Sequence, residues 1–211
     1  MIPILPLAAA LILAGAADFK ADFPRASVAE SPAGGRLTHA SGFEARGFGD
    51  APEAAARGFI ARYGAAFGVG PGQELVVRGS PPKGGVGAVR FERRIERLPV
   101  FDADVVVGVD ARSSIILVNA ADVPLEVEGR HRKSRSAAVR VAMAGLETSE
   151  APRAQRGWRA SGRTIRPVWR VDSIATRPSG AFRSYVDAET GKVLLRTDLR
   201  ASKSRGPVPQ R

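Results

Sequence analysis

Apolar positions along the chain change period several times, and each change marks an element. From residue 50 they recur at helical spacing, with Phe59, Ile60, Tyr63 and Phe67 at i, i+1, i+4 and i+8 on one face. Asp50 stands where an N-cap is needed, Pro52 suits a first turn, and Glu53 lies three residues on, as in a capping box. Gly68 and Gly70-Pro71 end the helix. Leu75-Val76-Val77 reads as a short strand. From Ala88 the period is two: Val89, Phe91 and Arg93 alternate with Arg90, Glu92 and Arg94. Arg97-Leu98-Pro99 breaks the run and Val100-Phe101 resumes it. Val105, Val107 and Val109 continue it, and Ile115 to Asn119 follows a turn at 110–113. This predicts an antiparallel meander with the helix laid across it.

The same plan recurs downstream. Ser136 is placed to cap a second helix carrying Val139, Met143 and Leu146 at i, i+4 and i+7. Residues 148–163 are polar and rich in Arg and Gly. Val168 to Ile174 alternates, Pro178-Ser179-Gly180 turns the chain, and Ala181 to Val186 returns. Asp187 to Gly191 is a tight turn in which Asp187 accepts backbone N–H bonds and Gly191 takes positive φ. Val193-Leu194-Leu195 is the last strand. Val105–Val109 and Val193–Leu195 are the candidate edge strands. The expected fold class is α+β: two small units, each a helix packed on an antiparallel β-sheet. Their bounds are 50–128 and 136–200, joined by a basic linker at 129–135. A loosely structured lead-in at 18–49 precedes them and a disordered tail at 201–211 follows.

Charge divides the chain in a similar place. Residues 1–129 carry 13 Lys or Arg against 15 Asp or Glu, whereas residues 130–211 carry 19 against 6. The second half therefore attracts anionic partners. Ahead of both units, Ile2 to Ala17 is almost wholly apolar and ends in the small residues Ala14-Gly15-Ala16. It is shorter than the roughly 20 residues a spanning helix needs. Residues 1–17 thus read as a signal peptide, although no Lys or Arg precedes Lys20. The expected location is secreted or periplasmic, with no stable membrane anchor and no nucleic-acid partner.

Two stretches resemble known families. Val89-Arg90-Phe91, then Leu98-Pro99-Val100-Phe101, then Val105 to Asp110 resembles the fungalysin/thermolysin propeptide domain. Arg97 stands where that family usually has glycine. Pro167 to Val171, with Trp169, followed by Tyr185-Val186-Asp187-Ala188-Glu189-Thr190-Gly191-Lys192-Val193-Leu194, resembles a PepSY domain. The residues carrying the resemblance are Arg90, Phe91, Pro99, Val100, Phe101, Asp110, Trp169, Tyr185, Asp187, Thr190 and Gly191. In this order the two domains resemble the pre-pro region of secreted zinc metallopeptidases. That implies a module that binds, chaperones and inhibits a zinc metallopeptidase catalytic domain, supplied in trans or formerly in cis. The alternatives are the front part of such a peptidase without its catalytic domain, and a basic extracytoplasmic module for anionic polymers.

Catalytic chemistry has little to stand on. The sequence has no cysteine and two histidines, His39 and His131, neither within His-Glu-x-x-His. Zinc needs more ligands than these offer. No Gly-x-Ser-x-Gly turn is present. Asp102, Asp104 and Asp110 lack the loop spacing of a calcium site and fit the solvent side of a strand. No catalytic, metal or cofactor site is expected. His39 and His131 both read as solvated surface residues.

Overall fold

A computed structural model of the chain describes residues 15–124 and 126–200. Residues 1–14 of the expected signal peptide at 1–17, and the expected tail at 201–211, lie outside the described residues. The elements run α1 (Ala16–Asp22), β1 (Ser27–Glu30), β2 (Leu37–Ala45), α2 (Pro52–Tyr63), a 3₁₀ turn (Gly64–Phe67), β3 (Gln73–Gly79), β4 (Gly87–Ile95), β5 (Leu98–Phe101), β6 (Val105–Val109), β7 (Ile115–Ala120), α3 (Arg135–Ala142), β8 (Arg153–Ser161), β9 (Thr164–Thr176), β10 (Ser179–Asp187) and β11 (Val193–Asp198). No helix among the described residues is long and apolar enough to cross a membrane.

The expected pair of separate helix-on-sheet units is corrected by the strand pairing. The strands join one 11-stranded mixed sheet in the order β1-β2-β7-β6-β4-β5-β8-β9-β10-β11, with β3 on β4. The reason lies in β4, which changes partner along its length. Gly87–Phe91 pairs with β6, and Arg94–Ile95 pairs with β5. β5 then runs parallel to β8, with Val100 opposite Trp158 and Phe101 opposite Arg159. Alternation marks a strand but carries no information on which edge meets which. By packing, the chain divides into two compact units. The first takes its described residues from Met1–Pro71, Val77–Phe91 and Val105–Asp122, the second from Gly72–Val76, Glu92–Asp104 and Val123–Arg211.

In the first unit α2 contacts β6 and β7. Phe59, Tyr63 and Phe67 are buried with Val89, Phe91, Val105, Val107 and Val109. The helix cap is Ala51 rather than Asp50, and it makes no side-chain bond. Pro52 at N1 accounts for this: the residue before a proline is driven to the extended region, where an N-cap belongs. Residues 18–49 are not a loose lead-in, since they hold most of α1 and all of β1 and β2. Phe19 is fully buried there. Its ring meets those of Phe43, Phe59, Tyr63 and Phe67 at 5.3, 6.3, 5.7 and 5.4 Å. Such ring contacts are long-range in sequence, so no local period announces them.

In the second unit β8 to β11 are antiparallel. Helix α3 buries Ala138 and Ala142 against Val171 and Val186, with Val139, Ala154 and Trp169 around them. Its cap is Ser134, two residues before the expected Ser136; the Ser134 hydroxyl accepts the Ala137 N–H at 3.2 Å. Its C-terminal end is met by Arg196 of β11, which donates to the carbonyls of Ala142 at 2.6 Å and Ala144 at 3.2 Å. A cation there satisfies orphan acceptors and complements the helix dipole. The Asp187–Gly191 turn forms as expected. Asp187 Oδ1 accepts the N–H groups of Glu189 and Thr190 at 2.8 and 2.7 Å, and Gly191 has φ +81. β6 lies between β4 and β7, so Val105–Val109 is not an edge, whereas β11 ends the described sheet.

Gly157 is a close fit against the backbone and a buried ring in the second unit. A Cβ there would lie 2.6 Å from both the Phe101 ring and the Pro99 carbonyl oxygen. Gly157→Val should therefore destabilise this unit by about 1–3 kcal/mol through overpacking. A lowered thermal midpoint in tryptophan fluorescence is the expected result, and an unchanged midpoint would contradict the close approach.

Candidate functional site

Neither histidine is a solvated surface residue. His39 lies on β2, half-buried, with its ring nitrogens 2.7 Å from Asn119 Oδ1 and 2.9 Å from the Ser41 hydroxyl. His131 packs edge-on against Trp158, with ring centroids 4.9 Å apart, and its Nε2–H donates to the Gly157 carbonyl at 2.9 Å. Burial holds its pKa below the ordinary value. Among the described residues no group of three or more His, Cys, Asp or Glu is placed to hold a metal ion. A zinc site needs three or four such ligands converging.

The family-motif residues fall on both units. Arg90 is exposed and Phe91 buried on β4, and Asp110 closes the turn after β6 by accepting the Arg112 and Ser114 N–H groups. Those bonds hold its carboxyl below the usual range. Pro99, Val100 and Phe101 lie on β5. Trp169 on β9 donates its indole N–H to the Lys133 carbonyl. Thr190 and Gly191 belong to the Asp187 turn. The fold brings Phe101 and Tyr185 together: their ring centroids are 5.8 Å apart, and with Val168 they form one buried cluster.

This cluster underlies a face of arginines. Residues directly opposite each other in a ladder share a face. One row reads Arg153, Asp172, Arg183, Thr197; the next reads Gln155, Arg170, Tyr185, Leu195; beyond Gly157, Val168 and Asp187 lie Arg159 and Arg166. These rows point away from α3, which packs on Val171 and Val186. The Arg170 guanidinium lies 4.6 Å from the Phe101 ring centroid, and that of Arg159 lies 4.6 Å from Tyr185. Asp102, held at φ +58, accepts from the Tyr185 hydroxyl at 3.2 Å and Arg159 Nε at 3.3 Å. Asp172 takes a two-pronged contact from Arg183, at 2.8 and 3.4 Å, and lies 3.4 Å from Arg170 Nε. Arg170 also donates to Gln155 at 2.7 Å. The Asp172 bond raises the Arg183 pKa.

The sequence reading singled out Phe101 and Tyr185 but not the arginines above them. They come from separate strands, and only the register shows that they meet. Chemically the face offers fixed guanidinium forks over aromatic rings, with carboxylates already seated between some of them.

No family model matches the chain, and no curated protein matches it. Among solved structures it is similar to the Bacillus megaterium YpeB C-terminal domain, with 10% sequence identity, a TM-score of 0.40 and 82% of each chain covered. Likeness at this level assigns neither a family nor a function.

The chain has two tyrosines, and both hydroxyls meet carboxylates. Burial, then Asp22, pushes the Tyr63 pKa up to about 12. Burial and Asp102 push Tyr185 to about 12 as well. A phenol whose folded pKa is raised stabilises the fold fully below its unfolded pKa, near 10, and loses that contribution as pH climbs toward 12. Phenolate difference absorbance should therefore stay low in the folded chain as pH passes 10 and rise only near 12 or on unfolding. Half of the signal appearing near pH 10 would show that one phenol is exposed.

Proposed function

We propose that β11 is an edge on which a partner strand is received, and that the partner is a secreted zinc metallopeptidase domain of the fungalysin or thermolysin type. In this reading the chain is a non-catalytic accessory module of the propeptide kind. It is exported, assists folding of its peptidase and holds it inactive. The observation that carries the reading is β11 itself. Among the described residues it pairs with β10 alone, and its Val193, Leu194 and Leu195 are exposed. An apolar edge is a liability unless something covers it. Strand addition supplies main-chain hydrogen bonds and pockets for alternate side chains, which is how an extended segment can fill a protease cleft. The resemblance of Phe101, Tyr185 and the Asp187–Gly191 turn to propeptide and PepSY sequences supports the choice of partner. The lack of a metal-holding cluster among the described residues is consistent with a partner that does the chemistry.

Added in trans, the chain should slow a metallopeptidase encoded beside it, and Leu194→Lys should weaken the inhibition about tenfold, equivalent to 1.4 kcal/mol. Rates of casein hydrolysis with and without each protein give the measurement. Absence of binding or inhibition at micromolar concentration, across the secreted metallopeptidases of the same genome, would sink this reading.

A further inference from the structure

The arginine face differs from a general basic surface in how its side chains are held. Arg159 lies over Tyr185 and is fixed by Asp102; Arg170 lies over Phe101 and is fixed by Gln155 and Asp172; Arg183 is fixed by Asp172. Their side chains remain 26%, 27% and 32% exposed, so the forks are both ordered and open to solvent. Ordering them beforehand removes part of the entropic cost of binding. The face is also not uniformly positive. Asp102 and Asp172 sit within it, and Ile174 and Leu195 expose apolar surface at 50% and 39%. At the Arg153 end lies a cavity of about 330 Å³ whose walls include Arg153, Asp172, Ile174, Ala181, Phe182 and Leu199. A continuous polyanion would meet the two carboxylates with like charge and leave the apolar positions unused.

An extended peptide meets neither difficulty. Its alternate side chains repeat at about 6.6–6.8 Å, the same repeat as the strands beneath. We propose that the face of β8–β10 turned away from α3 is a docking surface for an extended peptide segment that presents one apolar side chain and two carboxylates to it, on every second residue. One carboxylate meets the row of Arg153 and Arg183, the next meets Arg170, and the apolar side chain enters the cavity beside Ile174 and Ala181. Apart from Leu195, which borders both, this site is separate from the β11 edge, and it does not require that the partner be a peptidase.

The test uses the full chain and a fluorescent peptide of Leu-Ser-Glu-Ser-Glu repeats, whose Leu and Glu side chains share one face when extended, with binding read by anisotropy. Polyglutamate and heparin serve as comparison ligands. The mixed peptide should bind more tightly than either polyglutamate or heparin. The Arg170→Gln, Arg183→Gln double variant should weaken peptide binding at least about tenfold. The exposed Arg153→Gln, which leaves both aspartates their partners, should weaken it about threefold at an unchanged melting temperature. Arg140→Gln with Arg156→Gln removes the same charge from α3 and the other face and should change affinity less than twofold. Equal loss in that control would overturn the proposal in favour of unspecific attraction. Heparin binding tighter than the peptide would overturn it in favour of a polyanion site. An unaltered affinity in folded Arg153→Gln would also overturn it.

Discussion

The approach of Phe101 to Gly157 is the contact on which the second unit's surface depends. A parallel strand pair does not follow from sequence neighbourhood, and this one needs the ring of Phe101 to lie where a side chain of β8 would otherwise stand. Once the ring is there, Val168 and Tyr185 close a small buried cluster around it. The next residue, Asp102, is carried at positive φ to the Tyr185 hydroxyl. Asp tolerates that backbone region better than most residues. Arg170 and Arg159 then roof the two rings. A missing side chain thus sets the positions of three charged ones.

Energetically the roof is modest. Cation–π contacts at partly exposed sites contribute about 0.5–1 kcal/mol each, and half-exposed ion pairs contribute about as little. Their effect is on order more than on stability. The aspartates and rings restrict guanidinium planes that would otherwise sample many rotamers. Elsewhere in the unit, Arg196 shows the other use of arginine, spending its donors on helix carbonyls rather than on solvent. The high arginine content of the second half therefore has at least two separate physical roles.

Much of the strand pattern was legible because half-buried strands advertise period two. β4, β6 and β9 from Val171 onward follow that rule, and the Asp187–Gly191 turn follows from residue chemistry alone. The rule also accounts for Arg93, which continues the alternation of Val89 and Phe91 and is fully buried, donating to Gln73 at 2.9 Å. β8 was missed for the converse reason. Its Arg153, Gln155 and Arg159 belong to an open face and its Gly157 to a contact, so few apolar residues remain to show a period. β1 and β2 escaped because their burial comes from Phe19 and other distant rings. Of the site, Phe101 and Tyr185 were visible through resemblance. Their meeting was not, since it follows from strand register, which alternation does not encode.

Both tryptophans, Trp158 and Trp169, lie in the second unit, one buried against His131 and the other beside α3. The first unit contains only phenylalanines and Tyr63 among its aromatic residues. Indole emission is consequently a one-sided optical probe. It registers melting of the arginine-bearing unit and is blind to any loss of structure confined to the phenylalanine-lined one, for which methyl or amide resonances would be needed.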